Sequence, residues 1–228
     1  MRILVPLLLL ILSLFTGNAW SAVPKTDSAV MDRDLMDVTV DQLHKLYGNH
    51  RYTVTQVVQW HLDRIDRYNG IYRAVQTLNA QAALAEAARQ DAETRQPGFH
   101  PGPLWGVPIV VKANTSVQGL ITTDGWSGYM LPNHELLAPR DATIVSKLRA
   151  SGAILLGITN MPDFAASDTT RSTAFGRTGN AYDVRFSPGG SSGGTVTSVT
   201  SNLAVLEIGR AHGLNSSHLA VSRMPSSA

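Results

Sequence analysis

The segment Ser187-Pro-Gly-Gly-Ser-Ser-Gly-Gly-Thr195 constrains the fold of this chain more than any other stretch. Four glycines frame two adjacent serines, and Pro188 fixes the backbone at the approach. Glycine permits backbone conformations closed to other residues. The segment therefore reads as a tight loop that presents backbone N–H groups and hydroxyls together, suited to cradling an anion or to organising acyl transfer. A second feature answers it. The apolar run Gly106-Val-Pro-Ile-Val-Val-Lys112 ends in one of only four lysines in the chain. The run reads as a buried strand. An ammonium at its end is costly unless it is paired or neutral, and a neutral, desolvated lysine is a base.

Periodicity around these two features predicts alternating helices and short buried strands. Thr39-Val-Asp-Gln42 and Thr53-Val-Thr-Gln56 read as capping boxes, the first opening a helix to Tyr47 and the second a helix through about Tyr68. Tyr72 to Leu78 alternates like a strand, and alanine-rich Ala80 to Arg95 reads as helical. Ile109 to Val111 and Ala153 to Gly157 read as buried strands. Asp141 is expected to cap a helix ending at Ala150, and a helix of poor intrinsic propensity is expected from Gly193. The pattern indicates an α/β fold with a largely covered sheet.

Six stretches together carry a family resemblance: Gly106 to Lys112, Asp141 to Arg149, Gly152 to Gly157, Thr159-Asn-Met161, Phe175-Gly-Arg-Thr-Gly-Asn180 and Gly189-Gly-Ser-Ser-Gly-Gly194. Each is weak alone; the ordered set, spread over residues 35 to 206, is specific. In these stretches the chain resembles the amidase signature enzymes. The resemblance implies a mixed sheet covered by helices and a Ser–cis-Ser–Lys triad. Lys112 matches the family lysine and Ser191 the bridging serine, with the cis peptide falling at Gly190–Ser191. Gly189, Gly190 and Ser192 would shape the substrate-side loop. No cofactor or metal is implied. The implied partner is a small-molecule or peptide amide.

The chain also departs from the family. Ala113 and Ile158 stand where aspartate and lysine are frequent. The family's nucleophilic serine, in an Asp-x-Gly-Gly-Ser context, would fall at Asn215, where the neighbourhood has no acidic residue and no Gly-Gly pair. The nucleophile is therefore expected to be absent from this chain. Residues 207–228 are expected to be non-native. The codons GAG ATC GGA AGA GCA CAC would spell Glu207 to His212 and coincide with the start of a common sequencing-library adapter. With one inserted base, the adapter also spells Gly213 to His218, and its distal end spells Ser222 to Ala228. On this reading residues 35–206 are the N-terminal part of an amidase signature domain.

Arg2, the apolar stretch Ile3 to Phe15 and the Ala19-Trp-Ser21 site read as a secretory signal over residues 1–21, followed by a loose leader over 22–34. The mature chain is expected to be periplasmic or extracellular, with no membrane attachment after cleavage. A net charge of +2 with 16% charged residues and no basic cluster argues against a nucleic-acid partner. The absence of cysteine excludes a thiolate metal site and a cysteine nucleophile, and the dispersed histidines form no metal-ligating set.

Other residues invite plainer roles. Ser192 is expected to hydrogen-bond within its own loop, Ser187 and Thr195 to cap that loop or shape the pocket, and Asp163 to serve as a helix N-terminal charge. His61 is expected to be a partly buried helix residue. Two further function classes compete with a secreted amidase. One is an amidotransferase of the same family, resembling the component that works on aminoacyl-tRNA, which sits poorly with a secretory signal. The other is a non-catalytic protein that binds its ligand on the glycine loop; a phosphate loop would lack the usual Gly-Lys-Ser/Thr ending.

Overall fold

A computed structural model describes residues 28–209. The secretory signal, the start of the leader and the tail from residue 210 lie outside the described residues, as do His212, Ser216, Ser217 and His218. The elements run α1 (Ser28–Leu35), α2 (Val40–Gly48), α3 (Val54–Tyr72), β1 (Val75–Leu78), α4 (Ala80–Glu93), β2 (Pro108–Lys112), α5 (Thr143–Ala150), β3 (Ile154–Thr159), β4 (Arg171–Ser172), β5 (Gly176–Arg177), α6 (Gly193–Thr200) and β6 (Leu206–Ile208).

Four strands form a mixed sheet in the order β1-β3-β2-β6. β2 lies parallel to both β3 and β6, and β1 closes the edge antiparallel to β3. Every residue of β2 and β3 is buried. This is the behaviour of central parallel strands covered on both faces, and it explains their unbroken apolar sequences. β4 and β5 form a separate two-stranded ribbon.

Both predicted capping boxes are present. Thr39 and Gln42 satisfy each other's backbone N–H groups, and Thr53 and Gln56 do the same. The start of α3 is further held by Asp91 of α4, whose carboxylate accepts from the backbone N–H groups of Val54 and Thr55 at 2.7 and 2.9 Å. These first-turn donors have no partner within the helix, and the negative charge also complements the helix dipole.

Three expectations are revised by the structure. Residues 28–34 belong to α1, which buries Met31 and Leu35 and receives the Trp60 indole N–H on Asp32. α3 runs four residues past Tyr68, and Arg73 ends it in a left-handed conformation. Asp141 is not the cap of α5; that position is Ala142, and the Asp141 carboxylate instead accepts from the Gln118 backbone and pairs with Arg149. The third parallel strand, β6, pairs Glu207 and Ile208 with Val110 and Val111 of β2.

α6 is seated by close backbone approach. The Gly194 N–H donates to the Asn160 carbonyl just after β3. A Cβ on Gly194 would lie 2.4 Å from that oxygen and 2.8 Å from the Ala74 carbonyl oxygen. Gly194→Ala should therefore push α6 off the sheet and destabilise the domain by about 1–3 kcal/mol, the usual cost of overpacking. Urea denaturation of the two proteins checks this, and an unchanged midpoint would show that the contact can yield.

Candidate active site

The site begins at the C-terminal end of β2, a central strand, where ligands commonly meet parallel sheets. Lys112 is the last residue of that strand and is completely buried. Across from it, the glycine-serine loop descends into α6. The Lys112 Nζ donates to the Ser191 Oγ over 2.6 Å, linking residues 79 positions apart in the chain. Ser191 is itself buried, and the peptide bond between Gly190 and Ser191 is cis.

The other predicted loop residues fall around this pair. Gly189 has φ of +85°, a conformation that favours glycine, and its N–H donates to the Ser187 Oγ at 3.1 Å. Gly190 passes so close to the Ser167–Asp168 backbone that a Cβ would lie 2.8 Å from the Asp168 carbonyl carbon. Ser192 occupies the residue before α6, and its carbonyl accepts from the Thr195 Oγ1 at 2.5 Å. Ser187 and Thr195 thus both bond within the loop. Asp163 heads a single 3-10 turn, and its carboxylate accepts from the backbone N–H and hydroxyl of Thr173. His61 is fully buried in α3 with its ring edge-on to Trp60, and packs as a core residue.

Three neighbours have no role assigned from sequence. Thr170 is buried, and its hydroxyl donates to the Gly189 carbonyl at 2.8 Å while accepting from the Gly193 N–H at 3.0 Å. One hydroxyl therefore bridges the residues on either side of Gly190–Ser191. Asn160 lies behind it. Its side chain donates to the Gly176 carbonyl and the Thr178 hydroxyl and accepts from the Ser172 hydroxyl at 2.7 Å. A polar residue directly after an apolar strand was the available sequence signal for Asn160; Thr170 offered none. The third is Glu207 of β6, buried beside Lys112, with its carboxyl pushed up to about 7 by burial against the opposing effects of a Thr195 hydrogen bond and the Lys112 charge.

A buried amine within hydrogen-bonding distance of a buried hydroxyl can exchange a proton with it. That is the part a base and a relay play in activating a nucleophile.

Comparison with known proteins places this geometry in context. A family profile described as Amidase matches residues 56–213. The A subunit of glutamyl-tRNA(Gln) amidotransferase from Alkaliphilus metalliredigens is 40% identical over 173 residues, covering 76% of this chain and 34% of that protein. Native peptide amidase from Stenotrophomonas maltophilia superposes with a TM-score of 0.66 at 34% identity, covering 75% of this chain and 35% of that one. An amidase family protein from Bacillus anthracis superposes with a TM-score of 0.70 at 27% identity, covering 84% and 39%. The chain spans about a third of the length of the curated relatives it matches.

Two outcomes are expected. Thr170→Val keeps the shape but removes the bridge, leaving a buried carbonyl and N–H without their partner, at a cost of about 1–3 kcal/mol. Thr170→Ser should retain most of that stability; equal losses in the two variants, measured by denaturation, would assign Thr170 to packing alone. Second, the folded state binds a proton at Glu207 more tightly than the unfolded chain does. Stability present below pH 4.5, the ordinary glutamate value, should fall as pH rises to about 7. Glu207→Gln should flatten that slope in a series of melting curves taken across the interval.

Proposed function

The chain belongs to the amidase family, and from that premise we propose that its complete form cleaves the carbon–nitrogen bond of amides, with Lys112 as base and Ser191 as proton relay. The observation that carries this reading is the 2.6 Å contact between the Lys112 Nζ and the Ser191 Oγ in a buried setting. A neutral Lys112 takes the proton of the Ser191 hydroxyl. Ser191 takes one in turn from an attacking serine, which the family resemblance assigns to sequence beyond the matched segment. The attacking oxygen then adds to the amide carbonyl, and the proton returns along the same path to the departing amine. Within the described residues, base and relay are supplied by Lys112 and Ser191.

Two finer readings share this step. A free amidase, acting on small or peptide amides outside the cytosol, is supported by the signal-like residues 1–21 and by the structural likeness to peptide amidase. A role like that of the amidotransferase A subunit is supported by relatives at 40% and 37% identity that bear that name, and it would direct the same chemistry to amide transfer on glutamyl-tRNA. Assays of the complete protein separate them. Ammonia release from simple aryl, aliphatic or peptide amides by the protein alone favours the first. Nitrogen transfer to glutamyl-tRNA(Gln), with no turnover of simple amides, favours the second.

In the complete enzyme Lys112→Ala and Ser191→Ala should each lower kcat by about 10²–10⁴-fold. The double substitution should cost little more than either alone, because both break one relay. Lys112→Arg should not restore turnover, since a guanidinium stays charged and accepts no proton. Near-normal steady-state rates in Lys112→Arg would make Lys112 structural and overturn the assignment.

A further inference from the structure

The base and the relay stand on different elements, and a series of hydrogen bonds joins their supports. Lys112 is paired in register with Thr159 of β3, and the Ala113 N–H donates to the Thr159 carbonyl at 3.1 Å. Asn160 comes next. Its carbonyl accepts from the Gly194 N–H at 3.2 Å, three residues past Ser191. Its side chain donates to the Thr178 hydroxyl at 3.0 Å. The Thr178 backbone N–H donates in turn to the Thr170 carbonyl at 2.9 Å. Asn160, Thr170 and Thr178 are all buried.

Thr170 closes the series on the loop itself. Its hydroxyl donates to the Gly189 carbonyl, two residues before Ser191, and accepts from the Gly193 N–H, two residues after it. A Cβ on Gly193 would lie 2.1 Å from the Thr170 Oγ1, so the hydroxyl fills the place a side chain would take. The span between the two tethered points is intrinsically pliant. Gly189, Gly190, Gly193 and Gly194 surround the two serines, and glycine leaves the backbone its widest choice of conformations. Fixing both ends of the span removes much of that freedom from Ser191.

We propose that Thr170 is a positioning residue for the relay: by tying Gly189 to Gly193 it holds the Ser191 Oγ at hydrogen-bond distance from the Lys112 Nζ. Proton transfer across that 2.6 Å contact needs the separation to be kept. A misplacement of about 1 Å in a reacting group can cost about 10²-fold in rate. Thr170 takes no proton itself and acts through Ser191. The task calls for a group that donates to a carbonyl and accepts from an N–H at once. A hydroxyl does both, a thiol does both weakly, and a methyl does neither.

This inference rests on Ser191 acting as the relay, and the experiment separates the two. The complete enzyme is assayed with whichever reaction the wild type supports, aryl-amide cleavage or nitrogen transfer to glutamyl-tRNA(Gln). There kcat and KM are measured for the wild type, Thr170→Val, Thr170→Ser, Ser191→Ala and the double variant Thr170→Val with Ser191→Ala. Thr170→Val should lower kcat by about 10–100-fold with KM little changed. Thr170→Ser should recover most of the wild-type kcat. In the Ser191→Ala background Thr170→Val should add little, because the relay it serves is already broken. A kcat near the wild-type value in Thr170→Val overturns the role. So does an equal fractional loss in both backgrounds, which marks an effect on folding alone. Near-normal kcat in Ser191→Ala overturns the relay reading beneath it.

Should Thr170→Val fail to fold, Thr170→Cys gives a second reading. Its thiol fills the site but is a weak donor and a weak acceptor. Its kcat should fall several-fold below that of Thr170→Ser with KM kept. Equal kcat in the two variants overturns the role of Thr170.

Discussion

An amine buried against a hydroxyl at the end of a central strand is the arrangement on which the rest of this structure depends. Transfer of a charged lysine from water into a protein interior costs several kcal/mol even after relaxation. Lys112 is nonetheless among the largest fully buried side chains in the described protein. Its position follows from β2, which is flanked by β3 on one side and β6 on the other, with every residue covered. The same burial that makes an ammonium unfavourable there makes an amine useful, and Ser191 is held within a hydrogen bond of it.

Holding Ser191 there requires an element with little bulk, and α6 shows how that is met. Gly193, Gly194, Thr195, Thr197 and Ser198 are all buried in a helix of eight residues. Such a sequence has poor helix propensity. Its hydroxyls turn inward instead: Ser198 donates to the Gly194 carbonyl at 2.7 Å, and Thr197 donates to the Gly179 carbonyl at 3.0 Å. Close contact with the Asn160 backbone and these internal hydrogen bonds outweigh what the local sequence lacks. The strand end, the loop held by Thr170 and the short helix therefore act as one rigid support for Ser191.

Where the sequence was legible, a local rule was sufficient. The capping boxes at Thr39 and Thr53 depend on residues three apart, so they can be read without knowledge of the fold. β2 and β3 announced themselves as apolar runs, and the bounds read for them fell within one or two residues of those observed. Asp141 misled because an acidic residue before a helix resembles a cap; the Gln118 N–H and Arg149, the one distant in sequence and the other further along α5, compete for its carboxylate. α1 was missed because its polar surface hides two anchoring residues, Met31 and Leu35, in a helix that α3 holds through the Trp60–Asp32 hydrogen bond.

By itself the sequence determined the α/β alternation, the buried strand ending in Lys112 and a glycine-framed loop containing Ser191, because each is written in periodicity, composition or residues close in the chain. The family resemblance brought Lys112 and Ser191 together only as an expectation; tertiary structure decided the geometry of their contact, that Thr170 bridges the loop and that Glu207 lies on the same sheet face as the lysine, on the neighbouring strand. Those relations depend on strand order and register, which join positions tens of residues apart, and no local pattern encodes which strand lies beside which.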